Sequence, residues 1–174
     1  MTWVIDGTHW SLIQTMDDSY NHQNAKMERT NFRQDKYYST QSWLSDVPLS
    51  VWDFSKYSMR RPALNWDTTP NKGVYMVNSA CSSQASKRQK YFSATASKIK
   101  VDAIGTCQHN ADVPTGMNRD TIEGRVEIMK QYRFVLAFEE TTEKDHISEL
   151  IWEAYMSGAV PVVVGADNLM SDHH

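Results

Sequence analysis

Apolar and polar positions separate most sharply between Tyr132 and Gly165. Phe134, Val135, Leu136, Ala137 and Phe138 form a nearly continuous apolar run of strand-forming residues, which predicts a strand buried on both faces. Charge follows at once: Glu139 to Asp145 holds only acidic, basic and hydroxyl residues. Ile147, Leu150, Ile151, Ala154 and Tyr155 then recur at helical spacing, with Ser157-Gly158 as the stop. Val160, Val162, Val163 and Val164, stiff at χ1, predict a parallel strand closed by Gly165. This β-α-β unit puts the 139–145 loop and the Gly165 turn at the carboxyl ends of neighbouring strands, where ligands of open α/β sheets bind.

A second unit of the same kind precedes it. Val74 to Val77 predicts a strand, Ala85 to Lys98 a helix with Tyr91, Phe92 and Ala96, and Ile99 to Ile104 a strand ending in Gly105. His109 to Asp120 reads as a loop, and Thr121 to Lys130 as a helix through Ile122, Val126 and Met129. Upstream, Trp10 to Gln14 predicts a strand and Thr15 to Ser19 a turn. Asn21 to Asp46 is polar and basic with scattered aromatics, read as loop with a short helix, and Val47 to Phe54 predicts one more strand. Arg60, Arg61, Pro62 and the run to Pro70 form the best linker candidate. The expected fold is α/β with a Rossmann-like parallel sheet.

Composition narrows the classes. With 174 residues, 40% hydrophobic and 22% charged, the chain belongs among globular proteins. A net charge of -3 gives no electrostatic footprint for nucleic acid. No run of about 18 apolar residues is present, so no membrane span is expected, and Met1-Thr2-Trp3 does not begin a signal peptide. Two cysteines cannot form a metal cluster alone; Cys81 and Cys107 are read as buried thiols, with a disulfide as the alternative in a lumenal chain. The six histidines are dispersed without a ligand spacing, and Asp17-Asp18 has no third ligand, so no metal site is expected.

The residues say more than the periodicity. FVLAFEETTEKDHISELIWEAYMSGAVPVVVG resembles the donor-binding signature of the α1,3/4-fucosyltransferase family, usually F-x-L-x-F-E-N-(S/T)…D-Y-(I/V)-(T/S)-E-K…G-x-(V/I)-P-(V/I)-x-x-G. Phe138, Glu139, Asp145, Ile147, Ser148, Glu149, Gly158, Val160, Pro161, Val162 and Gly165 fall in register without a gap. Three positions depart: Glu140 stands where the family has Asn, His146 where it usually has Tyr, and Leu150 where it has Lys. VNSACSSQASKRQKY and KVDAIGTC resemble two further family segments, so the likeness runs roughly from Trp10 to Gly165.

The resemblance implies a GT-B type glycosyltransferase that moves fucose from GDP-fucose, with inversion, to a GlcNAc-containing glycan in α1,3-type linkage. Residues 1–59 would then end an acceptor-side domain, 60–72 form a linker, and 73–174 begin the GDP-fucose-binding domain of a chain that reads as a fragment. No cofactor or obligatory metal is implied. The setting implied is the lumenal side of the Golgi membrane, through an anchor outside this sequence.

The same resemblance assigns roles. Asp17 matches a glutamate that would take the acceptor hydroxyl's proton, its alternative being a solvated Asx turn. Arg88 matches the arginine facing the donor diphosphate; an exposed helix charge beside Lys87 and Lys90 is the alternative. Glu149 matches the residue holding the ribose hydroxyls, or else is a carboxylate favoured by the helix start. Ser148 and the three departing positions, Glu140, His146 and Leu150, complete the donor set. Leu150 removes a cation and Glu140 adds an acid, so together they change the formal charge facing the diphosphate by two units. Hence a second expectation is a diverged, non-catalytic relative used for glycan or nucleotide binding or for subunit pairing.

Overall fold

The computed structural model describes residues 3–4, 11–14, 36–39, 41–43, 47–48, 55–58, 63–78, 81 and 87–169. The chain forms two compact units, one of residues 1–51, 143–147 and 166–174, the other of residues 52–142 and 148–165.

In the first unit β1 (Trp3–Val4) pairs antiparallel with β2 (Ser11–Gln14), and β2 pairs parallel with β3 (Lys36–Ser39). β2 lies where the pattern expects it. β3 corrects the expectation of loop and helix there: Tyr37-Tyr38 is strand-forming, but the basic and polar flanks hide it. Val47 and Pro48 are not in a strand, and the rest of that expected element lies outside the described residues.

The second unit holds a parallel sheet of β4 (Lys72–Tyr75), β5 (Lys100–Ala103), β6 (Phe134–Phe138) and β7 (Val160–Val164) in the order β5-β4-β6-β7. The connecting helices are α1 (Arg88–Ala96), α2 (Ile122–Met129) and α3 (Glu149–Ser157). β6, α3 and β7 fall where periodicity placed them. β4 starts two residues earlier than expected, because Lys72 at its head is neutralised by Asp102 on β5 at 2.7 Å. β7 is a sheet edge among the described residues, with side chains mostly half-buried.

The strand order dictates where the helices go. β4 to β5 steps one way, and β5 to β6 crosses back to the other side of β4. Right-handed crossovers therefore put α1 on one face of the sheet and α2 and α3 on the other. The core divides accordingly, since successive strand residues point to opposite faces. Tyr75, Val77, Val101, Leu136 and Phe138 pack with Phe92 of α1, while Val74, Met76 and Val135 pack with Ile128 and Met129 of α2 and Ala154 of α3.

Local signals start and stop these helices. The Thr121 hydroxyl accepts the Gly124 N–H at 3.1 Å as N-cap of α2. Gly158 ends α3 in the left-handed conformation, φ 80°. In α1, Ser93 and Thr95 donate their hydroxyls to the carbonyls of Gln89 and Tyr91, so these poor helix formers are satisfied within the helix.

Two charge clusters lie within this unit. Asp102 accepts from Lys72 Nζ and, at 3.1 Å, from the Tyr132 hydroxyl, with Lys100 Nζ at 3.8 Å. Burial pushes Asp102 up, but these partners outweigh it and hold the carboxyl below its ordinary range. Burial and the Asp102 carboxylate push the Tyr132 phenol well above its usual value. Between α2 and α3, Arg125 forks onto the fully buried Glu153 at 2.8 and 2.6 Å.

Candidate functional site

The order β5-β4-β6-β7 has its switch point between β4 and β6, where the chain leaves neighbouring strands in opposite directions. A crevice at the carboxyl ends of such a pair is where α/β sheets bind ligands. Its walls are the exits of β4 and β6, with α1 on one face and α3 on the other.

The β4 exit is fastened to the β5 exit. Cys107 N–H donates to the Val77 carbonyl at 3.0 Å, Thr106 N–H to Asn78 Oδ1 at 3.2 Å, and the Thr106 hydroxyl to the Asn78 carbonyl at 2.6 Å. Cys81 and Cys107 form a disulfide with Cα atoms 5.1 Å apart. This corrects the expectation of two buried thiols: pairing depends on how the sheet brings the two exits together, which spacing along the chain does not show. Closing a loop across 26 residues constrains the unfolded chain by about 3–4 kcal/mol in the chain-entropy picture.

The β6 exit is organised by Glu139, which is 3% exposed. Its N–H donates to the Val164 carbonyl at 2.8 Å, and its carboxylate accepts both the N–H and the hydroxyl of Ser148, at 2.9 and 3.0 Å. A carboxylate from the strand thus replaces the Ser148 side chain at the positive end of α3. Gly165 at the β7 exit allows this. A Cβ there would lie 2.6 Å from Glu139 Cγ. We expect Gly165→Ala to displace Glu139 and lower stability by about 1–3 kcal/mol. Thermal denaturation measures this, and most of the loss should vanish in a Glu139→Ala background, as coupled neighbours require.

On the α1 face, Arg88 opens the helix and is 3% exposed, so the alternative of an exposed helix charge is overturned. It lies close enough to Tyr75 for its charge to be felt there: burial raises the Tyr75 phenol and the Arg88 guanidinium pulls it partly back. One turn on, Tyr91 is 46% exposed, its ring in a T-shaped pair with Phe138 with centroids 6.4 Å apart.

On the α3 face, Glu149 is exposed in the first turn, and its charge acts on the Arg125–Glu153 pair beneath. Leu150 is half-buried and packs against the core cluster of Ile128, Met129 and Ala154, so a lysine here would have to lift its stem out of that contact. Glu140, just past β6, is half-buried.

Asp17 lies outside the described residues. His146 belongs to the first unit, half-buried, with its N–H on the Glu143 carbonyl at 3.3 Å. Its neighbour Asp145 adopts φ 66° and accepts from the Ser42 hydroxyl at 3.2 Å, the Trp43 N–H at 3.0 Å and Asn168 Nδ2 at 2.7 Å, while its own N–H donates to Asn168 Oδ1 at 2.9 Å. One carboxylate thus gathers three segments of its unit.

Sequence reasoning assigned Glu139 no role, although a carboxylate directly after a buried strand is itself a signal, because a buried charge must be met by donors. The disulfide and the Asp145 clasp carry no local pattern.

Comparison with known proteins adds an independent finding. The description "Glycosyltransferase family 10 (fucosyltransferase) C-term" fits residues 68–172. Over 159 residues the chain is 28% identical to a fucosyltransferase-like protein of Arabidopsis thaliana, across 91% of this chain and 29% of that protein. Over 99 residues it is 36% identical to GDP-fucose protein O-fucosyltransferase 3 of Danio rerio, across 55% of this chain and 21% of the relative. Among solved structures, an α1,3-fucosyltransferase with GDP-fucose superposes on 57% of this chain and 26% of its own, at 23% identity and a TM-score of 0.45. The chain spans between a fifth and a third of the length of the two curated relatives.

Proposed function

The chain belongs to glycosyltransferase family 10 (fucosyltransferase), and from that premise we propose that its parallel sheet is the donor side of a GT-B enzyme transferring fucose from GDP-fucose. The observation that carries the reading is the β4–β6 switch point, with Arg88 at the start of α1 and Glu149 at the start of α3, inside the matched segment.

Each residue then has a task. Arg88, always charged, faces the diphosphate and stabilises the charge that grows on the leaving group. Glu149 accepts hydrogen bonds from the ribose hydroxyls, and Ser148 and Glu140 of the same unit complete the donor's surroundings. Leu150, packed into the core, supplies shape where the family signature has a cation. In the transfer the acceptor oxygen attacks C1 of fucose from the side opposite the diphosphate. The C1–O bond breaks, GDP leaves with its electron pair, and the acceptor proton passes to a carboxylate, the role assigned to Asp17. The reaction needs no cofactor or obligatory metal, so transfer persists in chelator.

The acceptor proposed is a GlcNAc-containing glycan taking an α1,3-type linkage, on the strength of the donor signature. The 36% identity to a protein O-fucosyltransferase favours one second reading, in which a protein hydroxyl takes the fucose. A lumenal setting in the secretory pathway fits the Cys81–Cys107 disulfide, since such bonds persist in oxidising compartments.

Isothermal titration of GDP and GDP-fucose into the folded chain tests the donor side, and product analysis with GlcNAc-terminated glycan and with folded glycoprotein acceptor tests the transfer. Saturable binding of both nucleotides is expected. A well-folded chain that binds neither would end the donor-site reading and leave the non-catalytic one.

A further inference from the structure

We infer that Tyr91 is a donor-binding residue whose ring stacks on the guanine base. The inference rests on the donor-site reading above. It begins from an aromatic side chain that the core does not consume. Phe92, its neighbour on α1, is 6% exposed and packs with Tyr75 at a centroid distance of 4.9 Å, whereas Tyr91 leaves 46% of its surface open.

Position decides what that surface can meet. Tyr91 sits in the first turn of α1, three residues after Arg88, and its ring forms a T-shaped pair with Phe138, the last residue of β6, with centroids 6.4 Å apart. It therefore stands at the carboxyl end of β6, one wall of the switch-point crevice. Beside that contact Tyr91 keeps 46% of its surface exposed, which leaves ring surface for a ligand. Planar aromatic surfaces gain from offset stacking on one another. Phe138 in turn packs against Tyr75 at 6.0 Å, so the ring stands on an aromatic cluster. Such a cluster offers flat surface and few hydrogen-bond acceptors, which suits a purine base better than the hydroxyl-rich fucose.

The test is titration of GDP, GDP-fucose and inorganic pyrophosphate into the full chain and into Tyr91→Ala, Tyr91→Phe and Tyr91→Trp, with circular dichroism and melting curves alongside. Alanine in place of a base-stacking aromatic weakens binding by about 5- to 150-fold. We expect that loss for GDP and GDP-fucose alike in Tyr91→Ala, wild-type affinity within about threefold in the two aromatic variants, and unchanged pyrophosphate binding. Wild-type GDP affinity in a folded Tyr91→Ala overturns the inference while leaving the donor site standing. A loss confined to GDP-fucose also overturns it, because the ring then meets the sugar. If the wild-type chain binds no guanine nucleotide, both readings fall together. Should Tyr91→Ala not fold, an affinity in Tyr91→Leu equal to that of Tyr91→Phe counts against stacking just as decisively.

Discussion

Arg125→Ala lowers the stability of the chain by about 3–5 kcal/mol at neutral pH, the usual cost of removing one partner of a buried pair. Arg125 reaches from α2 with two nitrogens onto Glu153 of α3, which has no exposed surface. Without the guanidinium, the carboxylate is left charged and buried between α2 and α3. In a chain of this length such a loss moves the melting temperature down by about 6–20 °C.

The pH dependence identifies the cause. Burial raises Glu153 above its ordinary value near 4.5, while the Arg125 fork pulls it partly back. A raised folded value means that the contribution of Glu153 is fully present below its unfolded value and is lost as pH rises through the folded one. Arg125→Ala removes the restraint and raises the folded value further. The gap between variant and wild type therefore narrows as pH falls from 7 towards 5, because protonated Glu153 needs no counter-charge. Denaturant unfolding at both pH values measures this. The double variant Arg125→Met with Glu153→Leu should recover most of the loss, since apolar replacement of a buried pair is often neutral. An equal deficit at both pH values, unrelieved in the double variant, would instead assign the effect to the packing of the arginine stem.

The sequence states some of these features and not others, for physical reasons. β6, α3 and β7 were legible because each is a strong local pattern: an apolar run, a helical stripe ending at Gly158, a row of β-branched residues. The carboxyl-end loops followed from the order of those elements, whereas Arg88 and Glu149 were singled out through the family resemblance. What stayed hidden depends on contacts across the fold. Lys72 looks like the end of a linker until Asp102, 30 residues away, neutralises it and brings it into β4. Leu150 lies at a signature position yet spends its side chain on the core. Arg88 sits among Lys87 and Lys90 in a helix with no apolar stripe, so nothing local marks it as buried. Its burial is a property of the sheet face on which α1 lands.

That burial sets the largest functional effect. Arg88→Ala should weaken GDP and GDP-fucose binding by about 100- to 1000-fold. Two charge-assisted hydrogen bonds at about 1.5 kcal/mol each, or a unit charge near 4 Å contributing roughly 4 kcal/mol at an effective dielectric of about 20, are two accounts of one interaction, and they correspond to roughly 150-fold and 1000-fold. The group is fixed as well as charged: it begins α1, lies 3% exposed, and stands near enough to Tyr75 to draw its phenol downward against burial. Arg88→Lys should recover only part of the affinity, because an ammonium keeps the charge and loses the planar fork. Wild-type and Arg88→Lys binding should both weaken with added salt, and the residual binding of Arg88→Ala less so. The substitution also removes a buried side chain, so melting curves must accompany the titrations, with Arg88→Met as the variant that keeps most of the stem. Near-wild-type GDP affinity in a folded Arg88→Met would move the diphosphate away from α1. Lost affinity with a preserved melt would assign this buried guanidinium to the donor.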